Sequence, residues 1–161
     1  LGRAATDFAA SALGKQLLTA TYRLTLAGFP ANGVTPIRLP RPPVQAVQAV
    51  TYDAKDGSSI TLQEGIDWTL KGAGDLLGDP PCILPLRRWP RNSANIHDAV
   101  AITYQAGFGS PADVPSRVKL AVLSLAVWWY EQREPVVVGA NVTEAPMHVH
   151  RILTSARIWD A

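Results

Sequence analysis

The sequence predicts an α+β fold: short antiparallel strands and a hairpin packed with helices. Three observations carry this expectation. Apolar residues recur at helical spacing near the two ends of the chain, over 1–13, 114–133 and 146–161. Between them, short runs alternate apolar with polar residues and are cut by Gly, Pro and Asn, as strands and turns are. The order helix, several strands, helix, helix lacks the regular strand–helix alternation of a parallel sheet. With 161 residues the chain is long enough to bury one sizeable core.

Taken in order, Ala5, Phe8, Ala9, Ala12 and Leu13 fall at helical spacing, and Gly14 stands where a left-handed cap would end that helix. The chain opens on Leu1, without a Met and already inside this pattern, so further sequence is expected ahead of it. Tyr22, Leu24 and Leu26 alternate with Arg23 and Thr25 in a half-buried strand closed by Gly28, Pro30 and Asn32-Gly33. Pro36, Pro40, Pro42 and Pro43 exclude a helix over 34–43 and stiffen an extended segment. Strands are expected at 44–53 and 58–63 around a Lys55-Asp56-Gly57 turn. A further strand at 67–71 has Trp68 and Leu70 on one face, and another extended piece spans 82–89. Val100, Ile102 and Tyr104, alternating with Ala101 and Thr103, give the clearest strand of the chain.

Gly107, Gly109 and Pro111 end the strand region, and Asp113-Val114-Pro115 is expected to open a helix reaching about Arg133. Asp113 would accept hydrogen bonds from first-turn amides, and Pro115 lacks an amide that the first turn does not need. Val118, Val122, Leu125 and Trp129 form one stripe, while Leu120, Leu123, Val127 and Tyr130 lie elsewhere on the helix. A helix apolar nearly all round should be covered on more than one side, and a neighbouring subunit would supply the second cover. Trp128 and Trp129 are therefore expected at a subunit interface or another layer of the domain. After a break at Pro135 and Gly139, Pro146 opens a last helix with Val149, Ile152, Leu153, Ala156 and Trp159 on one face. A short amphipathic helix of this kind suits docking in a groove, so the chain divides into a domain over 1–145 and a docking helix over 146–161.

Composition narrows the function. The 15 Lys and Arg nearly balance 13 Asp and Glu, which argues against a dedicated nucleic-acid binder. The charge is nevertheless uneven. Asp53, Asp56, Glu64, Asp67, Asp75 and Asp79 outnumber Lys55 and Lys71 in the middle, whereas Arg3, Lys15, Arg23, Arg38 and Arg41 face only Asp7 in the first 50 residues. Such polarity suits head-to-tail contact between like subunits, and a solvated hairpin explains it as readily. The longest apolar run, 120–130, is too short to span a bilayer, and no signal peptide is visible. Cys82 is alone, which excludes an internal disulfide and fits a small packing residue in a reducing compartment.

Little in the chain has the pattern of a reaction centre. His148 and His150 diverge at this spacing on a helix, and no Cys or carboxylate cluster stands at ligand spacing beside them. A metal-dependent hydrolase built on His97, Asp98, His148 and His150 is the main rival reading from another class. Gly72-Ala73-Gly74 matches no phosphate-binding loop, and Ser116 and Ser155 lack an elbow motif. Arg87, Arg88 and Arg91 flank Trp89 with no acid between them. They suit either the polar rim of a subunit interface, which is favoured, or a phosphate grip in which Trp89 stacks on a base. A DNA-packaging or DNA-binding factor is thus a second rival. No catalytic residue, cofactor or metal is expected.

Several stretches resemble the head–tail connector (adaptor) family of long-tailed bacteriophages and gene transfer agents. The run LGKQLLTATYRLTLAGFP (13–30) looks like that family's helix end, glycine cap and first strand. LPRPPVQAVQAVTYDAKDG (39–57) resembles its Pro-rich entry to a hairpin. The stretch 89–134 has a Trp-Pro loop, a strand ending Tyr-x-Ala-Gly-Phe-Gly, then Asp-Val-Pro and a helix ending Trp-Tyr-Glu-x-Arg-Glu. APMHVHRILTSARIW (145–159) is similar to its last helix. Each motif alone is weak, and their order along nearly the whole chain is what makes the match specific. Members of the family usually carry further helical sequence ahead of the part matched here, in keeping with a chain that opens inside a helical pattern.

The resemblance implies a structural, non-enzymatic protein of the virion neck, assembled in the host cytoplasm. It implies a ring of identical subunits, twelve by analogy, seated beneath the portal protein and offering a surface to a stopper or tail-completion protein. Double-stranded DNA would pass through the lumen without sequence-specific binding, and no membrane is involved. Portal contact would fall to His148, Arg151, Ile152, Ile158 and Trp159; subunit contact to Trp128, Trp129, Arg87, Arg88 and Arg91. Asp53 and Asp56 would face either the DNA channel or a neighbour's basic strip containing Arg38 or Arg41.

Overall fold

A computed structural model describes residues 2–74, 80–91, 93–94 and 97–131. The expected α+β architecture is present as α1 (Gly2–Leu13), β1 (Ala20–Leu26), β2 (Ile37–Arg38), β3 (Val44–Asp53), β4 (Ser59–Leu62), β5 (Trp68–Lys71), β6 (Cys82–Pro85), β7 (Val100–Ala106) and α2 (Ser116–Glu131). The strands form a four-stranded sheet, order β1-β7-β3-β4, and a three-stranded sheet, order β2-β6-β5. Every pairing is antiparallel.

α1 stops where Gly14 takes a positive φ of 64°. Its amide bonds to Ser11 O at 3.1 Å and the Lys15 amide to Ala10 O at 3.2 Å, the paired closure of a Schellman cap. The Lys15 side chain is buried behind this cap; loss of water, and secondarily the charge of Arg117, pushes its ammonium pKa down.

β7 occupies the middle of the larger sheet because it has something to bury on both faces. Val100, Ile102 and Tyr104 point into the main core, and the small Ala101 on the other face is buried as well. Tyr22, Leu24 and Leu26 of β1 stand opposite Tyr104, Ile102 and Val100. On its other side, β3 solves a spacing problem. Val44, Val47 and Val50 are three apart, a period that would scatter them over both faces of a regular strand. Irregularities between Val44 and Ala46 and between Val47 and Ala49 insert an extra residue each time, and all three valines reach the core.

The Pro-rich segment contains a strand not foreseen in the sequence: Ile37 and Arg38 pair with Ile83 and Cys82. The extended piece expected over 82–89 is shorter, since strand pairing ends at Pro85. Ile37, Leu39, Trp68 and Ile83 from the smaller sheet's side share one apolar cluster with Val44, Val50, Ile102 and Tyr104. Phe29 caps that cluster, stacked on Trp89 at 5.0 Å and edge-on to Tyr52 at 5.5 Å.

A second cluster belongs to the helices. Ala5, Ala9 and Leu13 of α1 meet Val118, Ala121 and Leu125 of α2, with Leu17 and Val114 between them. The start of α2 differs from expectation. Pro115 O accepts from the Val118 and Lys119 amides, so Pro115 is the capping position and Ser116 the first helical residue. Asp113 lies too far upstream to reach first-turn amides. It accepts instead from the Ser110 amide at 2.8 Å and the Ser110 hydroxyl at 2.6 Å, fixing the preceding turn.

The two clusters are joined where residues 17–19, 43–45 and 107–109 cross. The Gly107 amide donates to Pro43 O, the Phe108 amide to Leu17 O and the Thr19 amide to Gly109 O. Gln45 Nε2 donates to Gly107 O at 2.8 Å and to Thr19 Oγ1 at 3.1 Å. At Gly107, φ is 123° and a Cβ would lie 2.4 Å from Leu18 O, so only glycine fits. Tyr104 ties in the Pro-rich arm by donating to Pro40 O at 2.9 Å.

Candidate assembly surfaces

Polar side chains at the surface first show what chemistry is present. Among the described residues no three His, Cys, Asp or Glu side chains come together as a metal site would require. His97 and Asp98 are exposed neighbours in a turn. His148 and His150 lie outside the described residues, as do all five residues assigned to portal contact: His148, Arg151, Ile152, Ile158 and Trp159. No described helix is long and apolar enough to cross a membrane.

The arginine cluster is resolved by Trp89. The indole is only 2% exposed, stacks on Phe29 and donates Nε1–H to Thr35 O at 2.9 Å. It cannot stack on a nucleic-acid base, so the phosphate grip loses its aromatic element. Arg87, Arg88 and Arg91 are held outward around it, and the Arg88 stem lies against Gly33.

At the hairpin between β3 and β4, Gly57 takes φ 84°, and Asp56 accepts from the Ser58 amide at 2.9 Å and hydroxyl at 2.6 Å. Those bonds hold the fully exposed Asp56 carboxyl below its ordinary pKa. The same arrangement at Ser110 lowers Asp113. Asp53 is fixed through its backbone, its amide donating to Ala99 O and its carbonyl accepting from Ala94. Asp53 and Asp56 therefore shape the hairpin whatever they face beyond it.

On α2, the two tryptophans are half-buried against the chain's own helix cluster, and Trp129 meets Phe8 edge-on at 5.9 Å. The uncovered apolar surface lies elsewhere on the helix. Leu120, Leu123, Val127 and Tyr130 are between 52% and 62% exposed. Their spacing of three, four and three residues places them in one stripe. Among the described residues, α2 is covered chiefly by α1.

A second exposed apolar group went unread in the sequence. Ile66, Leu86 and Val34 stand on adjoining turns, since the Leu86 amide donates to Asp67 O at 2.9 Å and the Trp89 amide to Gly33 O at 2.8 Å. The available signal was an isoleucine inside the Gly65-Ile66-Asp67 turn, where a polar residue is usual. A groove of about 1030 Å³ also runs between α1 and the Pro-rich arm, lined by Asp7, Ser11, Arg38 and Arg41 among others.

No protein-family model matches the chain, and no curated protein does. Solved structures do. The chain is similar to a chain in the virion of a native gene transfer agent particle, 26% identical, with a TM-score of 0.74 over 99% of this chain and 76% of the other. It is similar to a chain in the neck of the native particle computed with C12 symmetry, at 24% identity and TM-score 0.73, covering 99% and 81% of the two chains. A chain from the neck of the empty particle, computed with C6 symmetry, matches at 26% identity and TM-score 0.72 over 99% and 76%. The head–tail connector motifs read in the sequence are thus matched by a likeness, over nearly the whole chain, to virion and neck chains of gene transfer agent particles.

Proposed function

We propose that this chain is a structural, non-enzymatic head–tail connector of the virion neck. Copies of it form a cyclic ring, twelve by analogy with the connector family, that continues the DNA channel beneath the portal and receives a stopper or tail protein. The observation that carries this reading is the whole-length likeness to a chain of the gene transfer agent neck at 26% identity. The surface supports it: two exposed apolar groups and an outward-facing arginine cluster suit lasting protein contacts. Residues 146–161 provide the portal contact, through His148, Arg151, Ile152, Ile158 and Trp159, and double-stranded DNA passes the ring without sequence-specific contact. Asp53 and Asp56 face the lumen or the next subunit, where negative charge would keep DNA from adhering or set the register of the ring.

The test is removal of the chain from a producer of the particles. DNA-filled heads without tails are the expected product, and imaging of labelled subunits should place the chain at the neck. Tailed, DNA-delivering particles made without it would overturn the proposal. Deleting 146–161 should leave the melting temperature unchanged while the protein no longer joins filled heads.

A further inference from the structure

A ring of identical subunits closes through a heterologous contact, in which each copy offers two different patches and each patch meets the other on a neighbour. Resting on the ring reading above, we infer that the exposed stripe of α2 on one copy packs against the Val34, Ile66 and Leu86 patch on the next.

The two surfaces have the properties such a pairing requires. Leu120, Leu123 and Val127 are all more than half exposed and share one side of α2. Val34, Ile66 and Leu86 are about half exposed or more; Val34 precedes β2, Ile66 precedes β5, Leu86 follows β6, and none belongs to the helix cluster. Within one subunit the stripe is left exposed, the described packing of α2 being on its opposite face against α1. Charge fixes the direction. The last described turn of α2 carries Glu131 and no basic residue, while the exposed Arg87 and Arg88 follow Leu86. Setting the stripe on the patch with Glu131 toward the guanidinium groups pairs opposite charges at the rim of an apolar contact. The reverse direction would bring Arg117 and Lys119 toward Arg87 and Arg88. Two α2 stripes facing one another would leave the patch open and stop at a dimer.

The test is cross-linking in purified particles that carry the full chain with Leu123→Cys and Leu86→Cys together, using a short bis-maleimide. The native chain, which carries Cys82, and each single variant serve as controls. The double variant should give a regular ladder on a denaturing gel, ending at a closed ring, and the single variants and native chain should stay monomeric. Dimers from Leu123→Cys alone would put two α2 stripes in contact and overturn the inference. So would a cross-link from it to a different virion protein. A chain present in the neck but giving no ladder overturns the inference and leaves the ring standing, whereas a chain absent from particles overturns both. Charge gives an independent readout. Glu131→Lys should reduce the copies retained per particle with no change in melting temperature, and adding Arg88→Glu should restore them. Failure of that restoration counts against the direction of packing.

Discussion

The strands and the helix pair are both rich in apolar residues, yet they bury them to very different degrees. On β7, Val100, Ile102 and Tyr104 are essentially inaccessible, and the small Ala101 on the opposite face is buried too, beside the part-exposed Thr103 and Gln105. On α2, Val118, Ala121 and Leu125 are just as buried, but the large side chains at 120, 123 and 127 remain in water. A strand's neighbours on either side are recruited from its own chain. A helix has a wider circumference than one partner helix can cover. Apolar content inside the β region therefore measures the core, and apolar content on α2 measures what the molecule has yet to meet.

The sharpest way to break this contrast is at the crossing that joins the two regions. Gly107→Ala would force a Cβ against the Leu18 carbonyl at a φ that alanine resists, and a loss of about 4 kcal/mol or more is expected in denaturant unfolding. A loss under about 1 kcal/mol would mean the crossing yields easily. Next in size, Ile102→Ala and Leu125→Ala should each cost roughly 2–5 kcal/mol, because both side chains are enclosed. Leu123→Ala, two residues from Leu125 on the same helix, should stay within about 0.5 kcal/mol. A large effect there would show that the stripe is already covered.

Between these extremes lies Tyr104. Burial first, then the nearby Tyr22 against a smaller opposing effect of Arg41, raises its hydroxyl pKa above the ordinary 10.0. The unfolded chain then ionises before the folded one. The stability tied to this group is fully present below pH 10 and lost as the pH rises through the folded value. Tyr104→Phe should remove that alkaline loss and cost about 1–2 kcal/mol near neutrality, since Pro40 O loses its donor. An unchanged alkaline limb would point to another group. The smallest effect is expected at Asp56. Its pKa is lowered by Ser58, so what it contributes to stability is present above about pH 4 and fades as the pH falls through the folded value. Asp56→Ala should abolish this acid dependence, which a pH series of melting temperatures would detect.

Much of the fold was legible because it is written locally. The alternation in 22–26 and 100–104, the Gly14 cap and the Gly57 turn each rest on residues within a few positions of one another. Pairing is not local, so nothing in the sequence said that β1 would lie beside β7, or that Ile37 and Arg38 would join Cys82 and Ile83 in a separate sheet. The spacing of Val44, Val47 and Val50 shows the limit clearly, since it makes sense only once two bulges are known. Asp113 shows another: its residue type suits a helix cap, but its carboxylate is taken up by the amide and hydroxyl of Ser110. Among the candidate surfaces, Arg87, Arg88 and Arg91 are exposed, while Trp89, which the less favoured phosphate-grip reading offered to a base, is buried against Phe29, a partner far away in sequence. Trp128 and Trp129 were singled out because α2 is apolar nearly all round, and both are half-buried against the helix cluster. The smaller residues on the next face proved to be the uncovered ones.

The crossing at residues 17–19, 43–45 and 107–109 has a mechanical meaning. Both helices reach the strand region close to this point, α1 through 14–19 and α2 through 107–115, and there the segments are cross-bonded rather than left as free linkers. A pull on the helix pair is shared by several hydrogen bonds loaded side by side, and breaking any one of them does not release the others. Among the described residues, therefore, neither α1 nor α2 is joined to the sheets by a free linker. A displacement of α1 and α2 is thus passed on to the strands through this cross-bonded point.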